Sequence, residues 1–270
     1  MYRRRRRSSG IGLRLIIALG IALFSLISYF GTRTTNPVTG EVQYVDLSPE
    51  QEIAMGLQAA PQMAAQHGGL HPDQEAQALV DQVGAEIVQS SAARETPYRY
   101  EFHLLADANT VNAFALPGGQ IFITAALMNE LTTVGQLAGI LGHEVGHVVA
   151  RHSAERLAKQ KLTQGLVGAV GTASDVGGAR MAAAVGQMIN MQYGRDDELE
   201  SDRLGVVFMS DAGYDPRALI EVMRILEAAS GGARQPEFAS THPSPDNRVA
   251  QIETTIQEVF PNGVPSGLEP

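Results

Sequence analysis

Two histidines four residues apart, His143 and His147, flank the glutamate Glu144 inside an otherwise apolar run from Leu137 to Val148. In a helix, positions i and i+4 sit one turn apart on one face, offset by about 40°. Two imidazoles at that spacing can converge on one tetrahedral ion. Glu144 is turned about 100° from His143, so it can flank the ion without ligating it. A carboxylate there can take the proton from a metal-bound water, whose pKa zinc lowers to about 7. The same five residues could arise by chance on a surface helix. In the middle of an apolar helix, however, uncompensated His and Glu are costly, which favours the metal reading.

A catalytic zinc site takes a third protein ligand and keeps one position open. The chain has no cysteine, so that ligand is His, Asp or Glu, and no third histidine follows at the metzincin spacing. The best supply is Glu198-Leu199-Glu200-Ser201-Asp202, 51 residues beyond His147. Glu198 and Asp202 share a helical face, so one can ligate while the other orients a histidine through its second ring nitrogen. Glu200 points about 200° from Glu198 and falls outside the site. With Asp196 and Asp197 it reads as solvated charge at a helix start. His152, five residues after His147, lies about 140° off the metal face and reads as structural. His67, His71 and His103 have no metal spacing.

The elements that must position these residues follow from pattern. Ser48-Pro49-Glu50-Gln51 has the form of a capping box and starts a helix to about Gln66, with Pro61 a kink or break and Gly68-Gly69 the stop. A second helix runs from Pro72 to about Ser91. Tyr98–Leu104 alternates as a half-buried strand, and Val111–Leu116 and Gln120–Thr124 are strands on either side of a Pro117-Gly118-Gly119 turn. Thr132 or Thr133 opens the long metal-binding helix, which reads as continuous to about Lys161. Residues 162–190, rich in Gly, Ala and Met, read as two soft helical segments broken at Gly177-Gly178: a lid, a hairpin touching the membrane or, most simply, helix packed beside the site. Helices at Asp197–Ala212, after Asp215-Pro216, and after a Ser244-Pro245-Asp246 cap complete the chain. Helices first, then a small sheet, then helices make an α+β order rather than repeated βαβ units.

Composition narrows the class. At 270 residues and 44% hydrophobic the chain can build one real core, and disorder throughout is excluded. Arg3–Arg7 and Arg14 hold six positive charges, leaving 14 basic against 29 acidic residues, a formal charge of −15, in the rest. A body of that sign is a poor nucleic-acid binder. Ile11–Phe30 is almost wholly apolar, with 18 uncharged residues between Arg14 and Arg33. That is the lower limit for crossing a hydrocarbon core of about 30 Å, and the arginines place the N-terminus in the cytoplasm. The rival is a cleaved signal peptide, for which no small-x-small cleavage site stands out.

His143-Glu144-x-x-His147 with Glu198-x-x-x-Asp202 resembles the gluzincin zinc metallopeptidases: the CAAX prenyl endopeptidases, the HtpX proteases and the BepA-type periplasmic proteases. The likeness extends through Asn109-x-Val111-Asn112-Ala113-Phe114-Ala115-x-Pro117-Gly118-Gly119 and Ser240-Thr241-His242-Pro243 with Arg248, and covers roughly residues 48–260. The resemblance implies a mainly helical α+β zincin-type domain with a sheet of three to four strands. It implies one zinc ion held by His143, His147 and Glu198, with Glu144 as general base and Asp202 supporting them; Arg248 either pairs with a carboxylate near the site or is purely structural. His242 is either an inhibitory fourth ligand or an oxyanion stabiliser; as a residue type in a capping loop it could also be merely structural. The strand Gly119–Thr124 would be the edge that pairs with an extended, unfolded substrate, placing Asn112, Ala113, Gly119, Ile121 and Ile123 at the substrate.

With the charge and hydropathy pattern of the N-terminus, the chain is expected to divide into a basic cytoplasmic tail (1–10), a transmembrane signal anchor (11–30), a linker (31–47), the metallopeptidase domain (48–262) and a flexible tail (263–270). Several membrane helices and a C-terminal helical-repeat domain, present in some relatives, are not expected, so neither is a prenylated substrate. The implied function is cleavage of misfolded or unassembled envelope proteins by a singly anchored, periplasm-facing enzyme of the bacterial inner membrane. The alternative is an assembly factor whose zinc site is kept latent by His242. Oligomeric state and natural substrate are not readable.

Overall fold

The computed structural model describes residues 9–173, 176–230, 238, 242 and 247–270. In chain order its elements are α1 (Ser9–Phe30), β1 (Arg33–Thr35), β2 (Val42–Tyr44), α2 (Pro49–Gln66), α3 (Gln74–Ser90), β3 (Glu101–Leu105), β4 (Ala113–Leu116), β5 (Gln120–Thr124), α4 (Ala125–Glu130), α5 (Val134–Val149), α6 (His152–Ala173), α7 (Val176–Asp211), α8 (Arg217–Ser230) and α9 (Arg248–Val259). The architecture is mainly helical with a small sheet, as the α+β pattern requires. Residues 37–39, 47–153 and 194–270 make one unit, and residues 1–36, 40–46 and 154–193 another.

In the smaller unit, 19 residues of α1, Gly12–Phe30, are long and apolar enough to cross a membrane. Leu15, Ile16, Leu19, Phe24 and Ile27 are exposed, whereas Ser25 lies where a side chain on Gly165 of α6 would stand. Residues 31–47, expected as a linker, are instead partly a two-stranded antiparallel hairpin, β1 with β2. Tyr44 anchors it by stacking on Tyr29 at 4.7 Å and by donating its N–H to Glu155. Lys161 pairs with Asp46 nearby.

In the larger unit, Ser48 and Gln51 form the reciprocal capping box of α2. The helix runs through Pro61 without breaking and stops where Gly68 and Gly69 take positive φ. Asp73 caps α3, whose Val80, Val83 and Ile87 are in the core. The sheet order is β3-β5-β4, with β5 parallel to β3 and antiparallel to β4. The β4–β5 turn needs glycine. Gly118 and Gly119 have φ of 83° and 109°, and a side chain on Gly119 would strike the Arg99 carbonyl at 2.6 Å. Thr124 ends β5 and caps α4, a short helix the periodicity does not announce.

Thr133 caps α5, which is buried from Gly135 to Val149. The expected continuous helix to Lys161 is two helices, because Arg151 sits at φ 61° between α5 and α6. That left-handed residue is held by Glu52, with Nε at 2.9 Å, and by the Leu47 carbonyl at 2.7 Å. The expected helix start at Asp197 is likewise absent: α7 runs through it, so Glu198 and Asp202 are mid-helix. Gly177-Gly178 is also inside α7 rather than a break. The expected Ser244 cap lies outside the described residues. In the stretch 263–270, expected as a flexible tail, the last two residues are hydrogen-bonded to the domain. Glu269 exchanges backbone hydrogen bonds with Gly213 and Asp215, and Gly135 donates to the Pro270 carbonyl.

Candidate metal centre

Small residues let two helices come close enough to join the two halves of the motif. A side chain on Gly142 would meet the Gly205 carbonyl at 3.3 Å, and one on Gly146 would meet the Ser201 carbonyl at 3.2 Å. With α5 and α7 in backbone contact there, His143 and His147 face Glu198 and Asp202. Nε2 of His143 and Nε2 of His147 are 3.0 Å apart. Glu198 offers one oxygen 3.3 Å from the first and the other 3.4 Å from the second. Nδ1 of His242 lies 3.0 Å from Glu198 and 3.4 Å from Nε2 of His143. One ligand atom from each of the four residues lies within 4.8 Å of all the others.

The donor set fits a metal. Nitrogen and oxygen ligands at about 2.0–2.1 Å around a tetrahedral ion stand about 3.3–3.4 Å apart, close to the spacings here. The field fits as well. Burial alone would lower the His143 pKa, yet Asp202 and Glu198 raise it to about 9, so the carboxylates call for positive charge at this point. Glu198 is itself held well below the usual carboxylate range: burial pushes it up, but His242 and His147 outweigh that. Glu144 differs from all of these. It is fully buried, and neither carboxylate oxygen has a hydrogen-bond partner among the described residues. The nearest ring nitrogen, Nε2 of His242, is 3.5 Å away. Burial therefore raises its pKa despite the nearby histidines.

Around this set, Asp202 accepts from Nδ1 of His143 at 2.9 Å. Arg248, the first residue of α9, donates to both Asp202 oxygens at 2.6 and 2.7 Å and lies 3.4 Å from Glu198. Three residues escaped the sequence reading. His152 is not turned away: the Arg151 kink brings its Nδ1 to 2.8 Å from Nδ1 of His147. Glu200, expected outside, lies 3.2 Å from Nε2 of His152. Phe238 stacks on His242 at 4.3 Å. Nothing in the residue pattern marks a left-handed arginine, so the first two had no signal to find.

The expected substrate edge needs correction. β5 is the central strand, with both edges used by β3 and β4, and Ile121 and Ile123 are fully buried. The Gly119 carbonyl is taken by the Glu101 N–H. Gly119, Ile121 and Ile123 therefore cannot meet an added strand. The outer edge of β3 is also occupied. Gln77 bonds the Phe102 carbonyl and Leu104 N–H, and residues 69–71 bond Leu104 and Ala106. β4 is the other outer strand, and Asn112 and Ala113 lead into it. The side-chain oxygen of Asn112 is buried without a hydrogen-bond partner among the described residues. Val111, one residue earlier, accepts from the N–H of Phe238 beside His242.

The pattern that defines peptidase family M48 matches residues 74–256, about two thirds of the chain. Mitochondrial metalloendopeptidase OMA1 of Schizosaccharomyces pombe is 29% identical over 250 residues, covering 90% of this chain and 71% of that protein. The beta-barrel assembly-enhancing protease of Escherichia coli K12 is 30% identical over 198 residues, 69% of this chain. Human mitochondrial metalloendopeptidase OMA1 is 28% identical over 264 residues. The chain spans 40% of the length of the second and 50% of the third.

Proposed function

The chain belongs to peptidase family M48, and from that premise we propose that it is a membrane-anchored zinc endopeptidase that cuts misfolded or unassembled cell-envelope proteins. The observation that carries the reading is the pairing of a His143–His147–Glu198 donor set with a buried carboxylate, Glu144, that makes no hydrogen bond among the described residues. A polar group left so at a cost of about 1–3 kcal/mol is kept for something other than stability.

His143, His147 and Glu198 would hold the ion, one per chain, with Asp202 and Arg248 fixing the His143 ring. A zinc ion there supplies Lewis acidity, which lowers the pKa of water and polarises a carbonyl. Glu144 takes a proton from the attacking water and returns it to the departing amine, a role suited to a raised carboxyl pKa. The substrate lies extended along the outer edge of β4, read through its backbone, with Asn112 and Ala113 at the end nearest His242. A sequence-tolerant grip of that kind suits unfolded chains. In the membrane, α1 spans once with Arg3–Arg7 in the cytoplasm and the larger unit in the periplasm, in keeping with positive-inside bias and with the beta-barrel assembly named for the Escherichia coli relative.

One observation favours a second reading. Nδ1 of His242 sits within the donor set itself, where it would close the fourth position and hold the enzyme latent, as an assembly factor with a dormant site. Digestion of an unfolded protein by the detergent-solubilised full chain separates the two. Under the first reading wild type cuts, chelation abolishes cutting, and Glu144→Gln loses about 10²–10⁴-fold. If only His242→Ala cuts, the site is latent. If none cuts while zinc is bound, the protease reading falls.

A further inference from the structure

We propose that His152 and Glu200 are positioning residues that fix the ring of His147 for metal binding, through a chain of two imidazoles and a carboxylate. The inference rests on the reading that His147 ligates through Nε2.

A ring that gives its Nε2 lone pair to a metal carries its proton on Nδ1. That atom of His147 is 2.8 Å from Nδ1 of His152. Two ring nitrogens at that distance share one proton, so Nδ1 of His152 must be bare and its proton must sit on Nε2. Nε2 faces Glu200 at 3.2 Å, and a carboxylate only accepts. The Ser201 hydroxyl lies 3.3 Å from the same nitrogen, whose one lone pair is taken by the closer His147 N–H. Every member of the chain thus has its tautomer set by the next, and Glu200 terminates it. His152 and Ser201 are buried and Glu200 is partly exposed.

His143 is supported differently, by Asp202 directly, with Arg248 behind it. The His147 arm uses a neutral ring where the His143 arm uses an anion. It exists only because the chain turns at Arg151. In an unbroken helix, residue 152 would lie about 140° from residue 147, out of reach.

The test measures zinc affinity of the purified full chain by chelator competition. It also reads the tautomer of His147 from two-bond ¹⁵N–¹H correlations of the zinc-loaded protein. Loss of a partner that orients a ligand histidine weakens metal binding by about 10–100-fold. His152→Leu is expected in that range, with the His147 pattern altered. His152→Asn, whose carbonyl oxygen can accept from His147, should recover most of the loss. Glu200→Leu, on a partly exposed side chain whose removal leaves the core intact, should weaken zinc several-fold, and Glu200→Gln, which keeps an acceptor, should weaken it less. A merely packing role would lower the melting temperature of the metal-free variants but leave affinity and tautomer alone, and would show no Asn rescue. Wild type that binds zinc, with His152→Leu and Glu200→Leu within twofold of it, overturns this inference alone. Wild type that binds no zinc overturns the metal centre and the inference together.

Discussion

Two glutamates are buried to the same depth, Glu52 on α2 at 1% exposure and Glu144 on α5 at 0%, and their surroundings are opposite. Glu52 has both oxygens bonded: Arg151 holds one and the Tyr98 hydroxyl donates to the other at 3.1 Å. Glu144 has neither bonded among the described residues. Burying a carboxylate is expensive in both places. At Glu52 the cost is partly offset by an ion pair that fixes a left-handed backbone residue, and through it the end of the histidine-bearing helix. At Glu144 the charges of His242, His143 and Arg248 offset it only in part, and no hydrogen bond among the described residues adds to them. One glutamate serves architecture and the other is kept ready for chemistry, and hydrogen-bond satisfaction, rather than burial, tells them apart.

The comparison breaks if the two respond alike to removal. Glu52→Ala leaves Arg151 without its partner in a largely buried setting, and breaking such a pair costs about 3–5 kcal/mol. Denaturant unfolding of the metal-free protein should show that loss, with a zinc affinity that falls as well, because Arg151 places His152. Glu144→Leu is expected to go the other way. Removing an unpaired buried carboxylate should stabilise the metal-free chain by about 1–3 kcal/mol while activity disappears. A Glu144→Leu protein no more stable than wild type would mean that the carboxylate has an unseen structural partner, and the contrast would be lost.

The site was more legible than its supports. His143, His147, Glu198 and Asp202 follow from i, i+4 spacing because helix geometry alone puts them on one face, and the structure brings those faces together. The Ser48 capping box and the three strands are equally local. What could not be read was set by distant contacts. Arg151 takes positive φ because Glu52, 99 positions away, holds it, and no residue pattern near 151 announces that. The central place of β5 depends on strand order, which alternation does not give: a fully buried strand and an edge strand carry the same apolar residues. The pinned C-terminal residues depend on backbone bonds to Gly213 and Asp215, which leave no mark in side-chain type.

A finer contrast lies in the sign of pH dependence. Burial pushes the Glu52 carboxyl above its ordinary value of 4.5, even though Arg151 and Tyr98 pull it down. The folded chain then holds that proton more tightly than the unfolded chain. Its contribution to stability is full below the unfolded value and is lost as pH rises through the folded one. Asp107, in the turn before β4, behaves oppositely. Burial pushes it up, but hydrogen bonds from Thr110, from the Asn109 backbone and from His67 outweigh that and hold it at about 2, against 3.8 ordinarily. Its contribution is present above 3.8 and is lost as pH falls toward about 2. Melting temperatures of the metal-free protein, taken as differences between wild type and variant, should therefore slope in opposite directions. The Asp107→Asn difference grows with pH across the lower window, and the Glu52→Gln difference changes above 4.5 with the reverse sign. Parallel curves for both variants would mean that neither carboxyl differs between folded and unfolded chains. Satisfaction by an ion pair would then be no different, in its proton linkage, from a hydrogen-bonded turn at the surface.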